Sequence, residues 1–170
     1  GMSEPRRRFE PARSGRRKSV KPPMTSAAVT SFQTGKRPVN HGISSFLHIN
    51  EDEDGLRSRP FDGTDLQEPT LYEYLDREGI DCFLLNLPYT YPPRIDGDIV
   101  SSWLTPTQDI NEYFHPTDLP ERYPSLEEYI PSVSAGAGTV EGLRDLQRMA
   151  ERRCAVIREV IEANDHEFLL

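Results

Sequence analysis

Apolar residues recur at steps of three and four from Leu143 through Leu146, Ala150, Cys154, Ile157 and Ile161, which predicts a long amphipathic helix over 139–164. Residues 80–87, IDCFLLNL, follow a different rule: the run is short, almost continuously apolar and preceded by Gly79. That pattern predicts a buried strand. Just before it, Glu68 to Glu78 places Leu71, Tyr74 and Leu75 on one helical face, with Gly79 as the stop. Helix, glycine and strand together form an α/β unit. From Ser26 to Thr34 the residues are small or β-branched around a single large group, Phe32, and Gly35 follows. A short helix opening directly after Thr25 is expected there.

The remaining pattern is mostly punctuation. Residues 50–67, NEDEDGLRSRPFDGTDLQ, read as an acidic loop rich in turn signals. The carboxylates at 51–54 lack the alternating spacing and closing Glu of a calcium loop, so a solvated loop is expected. Pro88 to Asp98 contains three prolines and cannot be regular structure. It is a loop at the C-terminal end of a strand, where open α/β sheets place ligands. Residues 99–106 suit a short strand and turn, and PSLEEYIP carries Ser125 and Glu128 in capping-box spacing for one short helix. SAGAG at 134–138 is a flexible joint, and DHEFLL at 165–170 begins another strand. The expected fold class is α/β.

Length and charge narrow this further. At 170 residues the chain has the size of one domain, with 1–21 as a basic arm and 22–170 as the α/β body. No stretch reaches the roughly 18 to 20 apolar residues of a membrane span, and no apolar run behind the first arginines makes a secretory signal, so the cytoplasm is the default location. Residues 1–21 hold eight Arg or Lys against Glu4 and Glu10, a balance of +6 that leaves −14 on the remainder given the total of −8. A basic arm can neutralise nucleic-acid phosphates, but Phe9 is its one aromatic residue and everything after it is acidic, so a solvated tail is the reading preferred. Lysine occurs only at 18, 21 and 36, and an acidic, lysine-poor surface suits a protein adapted to high salt. Cys82 and Cys154 follow no metal spacing and read as two buried thiols rather than a disulfide.

Chemistry concentrates at Thr25. A hydroxyl at the first position of a helix faces free backbone amides and the positive end of the helix dipole, so a phosphate brought there would meet the amides of Ser26 and Ala27. The alternative is that Thr25 is simply the N-cap. The surrounding residues Thr25, Ser31, Thr34, Gly35, Pro38, His41, Gly42 and Ile43 resemble the nucleophile region of the type I phosphodiesterase and nucleotide pyrophosphatase family of the alkaline phosphatase superfamily. EPTLYEYLDREGIDCFLLNLPYTYPPRIDGDIVSSWLTP resembles the stretch in prokaryotic members where a helix leads to a strand and an Asn-x-Pro-x-Thr-Tyr-Pro-Pro loop. The resemblance spans about residues 22–170. It implies an alkaline-phosphatase-like three-layer α/β sandwich and hydrolysis of phosphodiester or pyrophosphate bonds in a small-molecule or nucleotide substrate. Thr25 would be both nucleophile and metal ligand, with two divalent ions, usually zinc, as cofactors.

Departures from the family pattern qualify the expectation. Ala28 stands where eukaryotic members hold a phosphoryl oxygen with Asn, and the family's other metal ligands, an upstream Asp and downstream Asp and His residues, have no counterparts, so the chain reads as an interior and incomplete piece. The second reading is therefore a catalytically incomplete fragment that associates with a complementary chain or with itself, since open strand edges favour pairing. His41 is assigned to the loop framework. His48, His115 and His166 share no ligand spacing, and Asp165 beside His166 reads as a helix end. Asn86, Tyr89, Thr90 and Tyr91 are candidate substrate contacts, an amide for a phosphate oxygen and rings for stacking, against the alternative of rigid packing. No Cys-x-Pro-x-Arg pattern marks a sulfatase.

Overall fold

A computed structural model describes residues 18–52, 55–107, 109–133 and 139–170. The first seventeen residues of the expected arm and the 134–138 joint lie outside the described residues. In chain order the elements are helices α1 (Thr25–Thr34) and α2 (Pro38–His41), strands β1 (Leu47–Asp52) and β2 (Gly55–Pro60), helix α3 (Leu71–Arg77), strands β3 (Cys82–Leu87), β4 (Asp98–Ser101) and β5 (Phe114–His115), helices α4 (Leu119–Arg122) and α5 (Val140–Ala163), and strand β6 (Phe168–Leu169). The chain is a mixed α/β protein. Its main sheet runs β5-β4-β3-β6, with β4 and β6 parallel to β3 and β5 antiparallel at one edge.

β3 organises the sheet because both of its faces are apolar. Cys82 and Leu84 point to one side, where Tyr72 of α3, Ile95 and Ile99 meet them. Phe83 points to the other, against Val100, Tyr123, Leu126 and the α5 residues Val156 and Val160. Alternation along the strand thus feeds two cores. Each fully buried aliphatic side chain contributes about 1.5–3 kcal/mol.

Several boundaries and faces differ from the sequence pattern. The acidic loop at 50–67 is largely a hairpin, β1 antiparallel to β2 from Leu47↔Pro60 to Asp52↔Gly55. Every described β2 residue is exposed, as are Ile49 and Leu56, so no buried face existed to print an alternation. The carboxylates after it serve local structure. Asp62 accepts from Thr64 N–H at 2.8 Å, Asp65 accepts from Asp62 N–H at 2.9 Å, and Arg59 holds Asp65 through two bonds of 2.7 and 2.6 Å. The Arg59 hydrogen bond lowers the Asp65 pKa.

α3 starts at Leu71, not Glu68, because Thr70 and Glu73 form a reciprocal capping box. Its buried face is Tyr72 and Glu73, whereas Leu71 and Tyr74 are exposed. The Ser125/Glu128 box does not form: Ser125 N–H donates instead to Glu159 of α5 at 2.9 Å, and Pro124–Glu128 is a 3-10 turn. α5 matches its prediction in extent, capped by Thr139 and by Asn164 at φ 54°. Its face does not match. Val156 and Val160 are the large apolar residues buried, while Leu143, Leu146, Ile157 and Ile161 are exposed. Cys82 is buried as expected and Cys154 is exposed, contrary to expectation. Among the described residues no helix is long and apolar enough to cross a membrane.

Leu84, 0 % exposed at the centre of the sheet, tests the assignment of β3 as the common wall of both cores. Leu84→Ala is expected to lower stability by about 2–5 kcal/mol in urea unfolding. A loss below about 1 kcal/mol would show that β3 does not carry the core.

Candidate active site

The sequence PPMT explains the entry into α1. Met24 is extended, at φ −97° and ψ 144°, and serves as N-cap without a side-chain bond, so Thr25 is the first helical residue and not the cap. Ala28 N–H already reaches back to Met24 O at 2.9 Å. The amides of Thr25, Ser26 and Ala27 have no partner within the helix, but Ser26 and Ala27 are fully buried, contrary to the expectation that their N–H groups meet a phosphate. Of the three only Thr25 is exposed, and its hydroxyl makes no hydrogen bond among the described residues. At the other end Gly35 adopts φ 67° and its N–H caps Ser31 O at 3.0 Å, as its place in the sequence predicts. Thr30 and Thr34 donate to the carbonyls four residues back, at 2.9 and 2.8 Å, which removes two hydroxyls from competition inside the helix.

His41 locks the segment that follows. Ile43 N–H donates to its Nδ1 at 3.2 Å, which assigns the proton to Nε2, 2.9 Å from Ser31 Oγ. Burial lowers its pKa, opposed by backbone hydrogen bonding at Ala27 and His41. The expected framework role is what this geometry supplies: a fully buried neutral imidazole ties the α2 turn to α1.

α1 is joined to the loop after β3. Gln33 Nε2 donates to Pro88 O at 3.2 Å, and the Ser26 and Tyr89 hydroxyls lie beside each other without reaching hydrogen-bond geometry. Burial pushes the Tyr89 phenol up to about 12. The loop is bent by two left-handed residues, Asn86 at φ 58° and Tyr89 at φ 66°, next to a register shift between Leu85 and Leu87. Tyrosine pays more than asparagine for that conformation. Gly63 fixes the far side: its N–H donates to Tyr91 O at 2.7 Å, and a Cβ there would stand 2.9 Å from both the Tyr89 and Tyr91 carbonyl oxygens.

The four loop candidates therefore separate. Tyr89 is 3 % exposed within a cluster of Ile43, Phe61 and Leu66 and presents no ring for stacking. Thr90 is equally buried and donates to Leu87 O at 3.0 Å, closing the turn. Both belong to the packing. Asn86 and Tyr91 stay half-buried, and Asn86 Oδ1 has no partner. Sequence reasoning missed Ser26 Oγ and Gln33 Oε1, two buried acceptors without partners beneath the α1 N-terminus and its loop contact. It also missed Trp103, an exposed ring 6.0 Å from Phe46 that lines a cavity of about 390 Å³ with Thr105 and Thr107 just past the end of β4. The chain's one tryptophan, directly after a strand, was the available signal.

At the opposite end of the sheet, His166 pairs not with Asp165 but with Asp98, Nε2 to Oδ2 at 2.8 Å, and Arg122 is ion-paired to the same carboxylate. Asp98 opens β4 and His166 precedes β6, so parallel pairing through β3 brings together residues 68 positions apart. Among the described residues no group of three His, Cys, Asp or Glu side chains is placed to hold a metal ion.

The lowered His41 pKa has a signed consequence. Its stabilising neutral state is fully present above the unfolded value of 6.5 and is lost as pH falls toward and through the lower folded value, because only the unfolded chain gains the proton in that window. His41→Gln should therefore shrink the loss of urea-unfolding stability between neutral pH and mildly acidic pH. Identical pH dependence in both proteins would remove His41 as the titrating lock. No protein-family model, curated protein or solved structure matches this chain.

Proposed function

We propose that this chain carries the nucleophile segment of a metal-dependent hydrolase of phosphodiester or pyrophosphate bonds, built on an alkaline-phosphatase-like α/β sandwich, with Thr25 as nucleophile. One observation carries the reading: an exposed, unengaged hydroxyl at the first position of a ten-residue helix. A phosphate brought to this end of the helix would meet the exposed Thr25, its Oγ and its own N–H, at the positive end of the helix dipole, whereas Ser26 and Ala27 are fully buried and do not present their N–H groups to it. Attack there forms a threonine O–P bond and breaks the bond to the leaving alcohol or phosphate; water then cleaves the phospho- or nucleotidyl-threonine. Asn86 and Tyr91 remain the substrate-contact candidates of the loop that Gln33 ties to this helix. The family resemblance implies two divalent ions, zinc above all, and the described residues do not fit them, since no three ligating side chains converge. The ligands would have to come from outside the described residues.

The same mismatch favours a second reading, a chain without independent turnover that contributes Thr25 to a site completed by other residues. Hydrolysis of a bis-nitrophenyl phosphodiester with zinc supplied separates the two. Turnover that falls at least about 100-fold in Thr25→Ala while Thr25→Ser retains a measurable part supports the nucleophile. Turnover unchanged in Thr25→Ala rejects it. Absence of both turnover and tight zinc binding by the wild-type chain selects the second reading.

A further inference from the structure

Among the described residues, the apolar face of α5 and the outer edge of β6 form one continuous surface. Leu143, Leu146, Ile157 and Ile161 are 65, 39, 44 and 56 % exposed, and with Ala150 and Cys154 they lie along one stripe of the helix. Beside them, Ile157, Ile161 and Leu169 line an apolar groove of about 260 Å³ floored by Phe83 and Leu85. β6 occupies the end of the sheet order. Leu170 N–H donates to Phe83 O at 3.0 Å and Leu170 O accepts from Leu85 N–H at 2.8 Å, so strand alternation turns the Leu169 amide and carbonyl outward.

We propose that this surface is an isologous interface between two copies of this chain, with α5 antiparallel to α5 and β6 antiparallel to β6 about one two-fold axis. The sequence of α5 matches itself in that arrangement. In a single register centred near Cys154, Leu146 meets Ile161 of the second copy and Ala150 meets its Ile157, while the two Cys154 thiols come together at the axis. That register brings Arg144 to within one residue of level with Glu162 of the second copy, and Glu151 to within two residues of level with its Arg158, about 1.5 Å of axial offset per residue. These four charged residues are exposed and border the stripe, and among the described residues Arg144, Arg158 and Glu162 make no ion pair within the chain. The other flank of the helix is already engaged, with Arg153 donating to Pro131 O at 2.6 Å and Glu159 accepting from Ser125 N–H. The uncovered apolar residues supply an area on the order of 500 Å² per copy, to which the strand edge adds, against about 800 Å² per partner in a standard interface. A two-fold axis satisfies both outward strand edges and both helix faces at once. The inference stands apart from the phosphohydrolase reading, since Thr25 lies on neither element.

Sedimentation of the whole chain over a range of concentrations should show a monomer–dimer equilibrium. Ile161→Glu should weaken it at least about tenfold while leaving the circular dichroism spectrum unchanged. Arg144→Glu should weaken it roughly 2–5-fold for each of the two symmetric pairs, and adding Glu162→Arg should restore it. Diamide, which accepts the two electrons and two protons released as two thiols join, should crosslink the wild-type dimer through Cys154 and fail on Cys154→Ser. Should Ile161→Glu not fold, the charge-reversal pair decides alone. A chain that stays monomeric, a dimer indifferent to the charge reversal, or one that never crosslinks through Cys154 overturns the proposal.

Discussion

The double-sided burial of β3 is the constraint on which the rest of the structure depends. A parallel pair needs cover on both faces, and this strand obtains it from α3 with Ile95 on one side and from α5 with the Tyr123–Tyr129 turns on the other. Once β3 is fixed, β4 and β6 must lie beside it, which aligns their C-terminal ends on one edge of the sheet and their N-terminal ends on the other. The Asn86 loop and Trp103 fall at the first edge, and Asp98 with His166 at the second.

The position of Thr25 follows from a separate set of contacts. α1 touches the sheet's C-terminal edge through Gln33 and Pro88 and through the neighbouring Ser26 and Tyr89 hydroxyls, while His41 fastens the chain leaving α1 back onto Ser31. These contacts bury Ser26 and Ala27 and leave Thr25 exposed at the start of the helix. Buried acceptors without partners, Gln33 Oε1 and Asn86 Oδ1, sit along the same seam. Unsatisfied buried groups are costly wherever they occur, and His166 Nδ1 beside Asp98 at the other edge is one as well, so it is the exposed Thr25 hydroxyl, and not the unpaired acceptors, that distinguishes this seam.

What was legible in the sequence was what local chemistry decides. Gly35 stands where a helix C-cap is expected, and it adopts the left-handed backbone that the role needs, at φ 67°. The apolar run of β3 required a buried strand, and the three- and four-residue steps required a helix over 139–164. The misreadings share another cause: periodicity reveals an apolar stripe but not which part of it finds a partner. On α5 the apolar arc is wider than the surface available to it, so Val156 and Val160 take the core and Ile157 and Ile161 are left outside. In β1 and β2 no face is buried, hence a hairpin without an alternating signature. For Tyr89 the sequence left two roles open, a ring for stacking or rigid packing, and the left-handed turn at 86–89 folds it inward. The Asp98–His166 pair is set by the topology of three strands and has no local trace.

The exposed stripe and the chain's charge act on one another. Two copies, each at −8, repel at low ionic strength, and the repulsion extends over a Debye length of about 10 Å at 0.1 M salt, shrinking to about 3 Å at 1 M. Burial of leucine and isoleucine is not weakened by that screening, and excluded salts strengthen it. An acidic, lysine-poor surface therefore permits what a neutral one would make hazardous: an apolar face kept soluble by mutual repulsion until salt or a matched partner removes it. Along α5 the charges that border the stripe are of mixed sign, so close approach at that face meets local attraction inside a repulsive whole. The affinity of such a face comes from its apolar residues, and its register from Arg144, Glu151, Arg158 and Glu162.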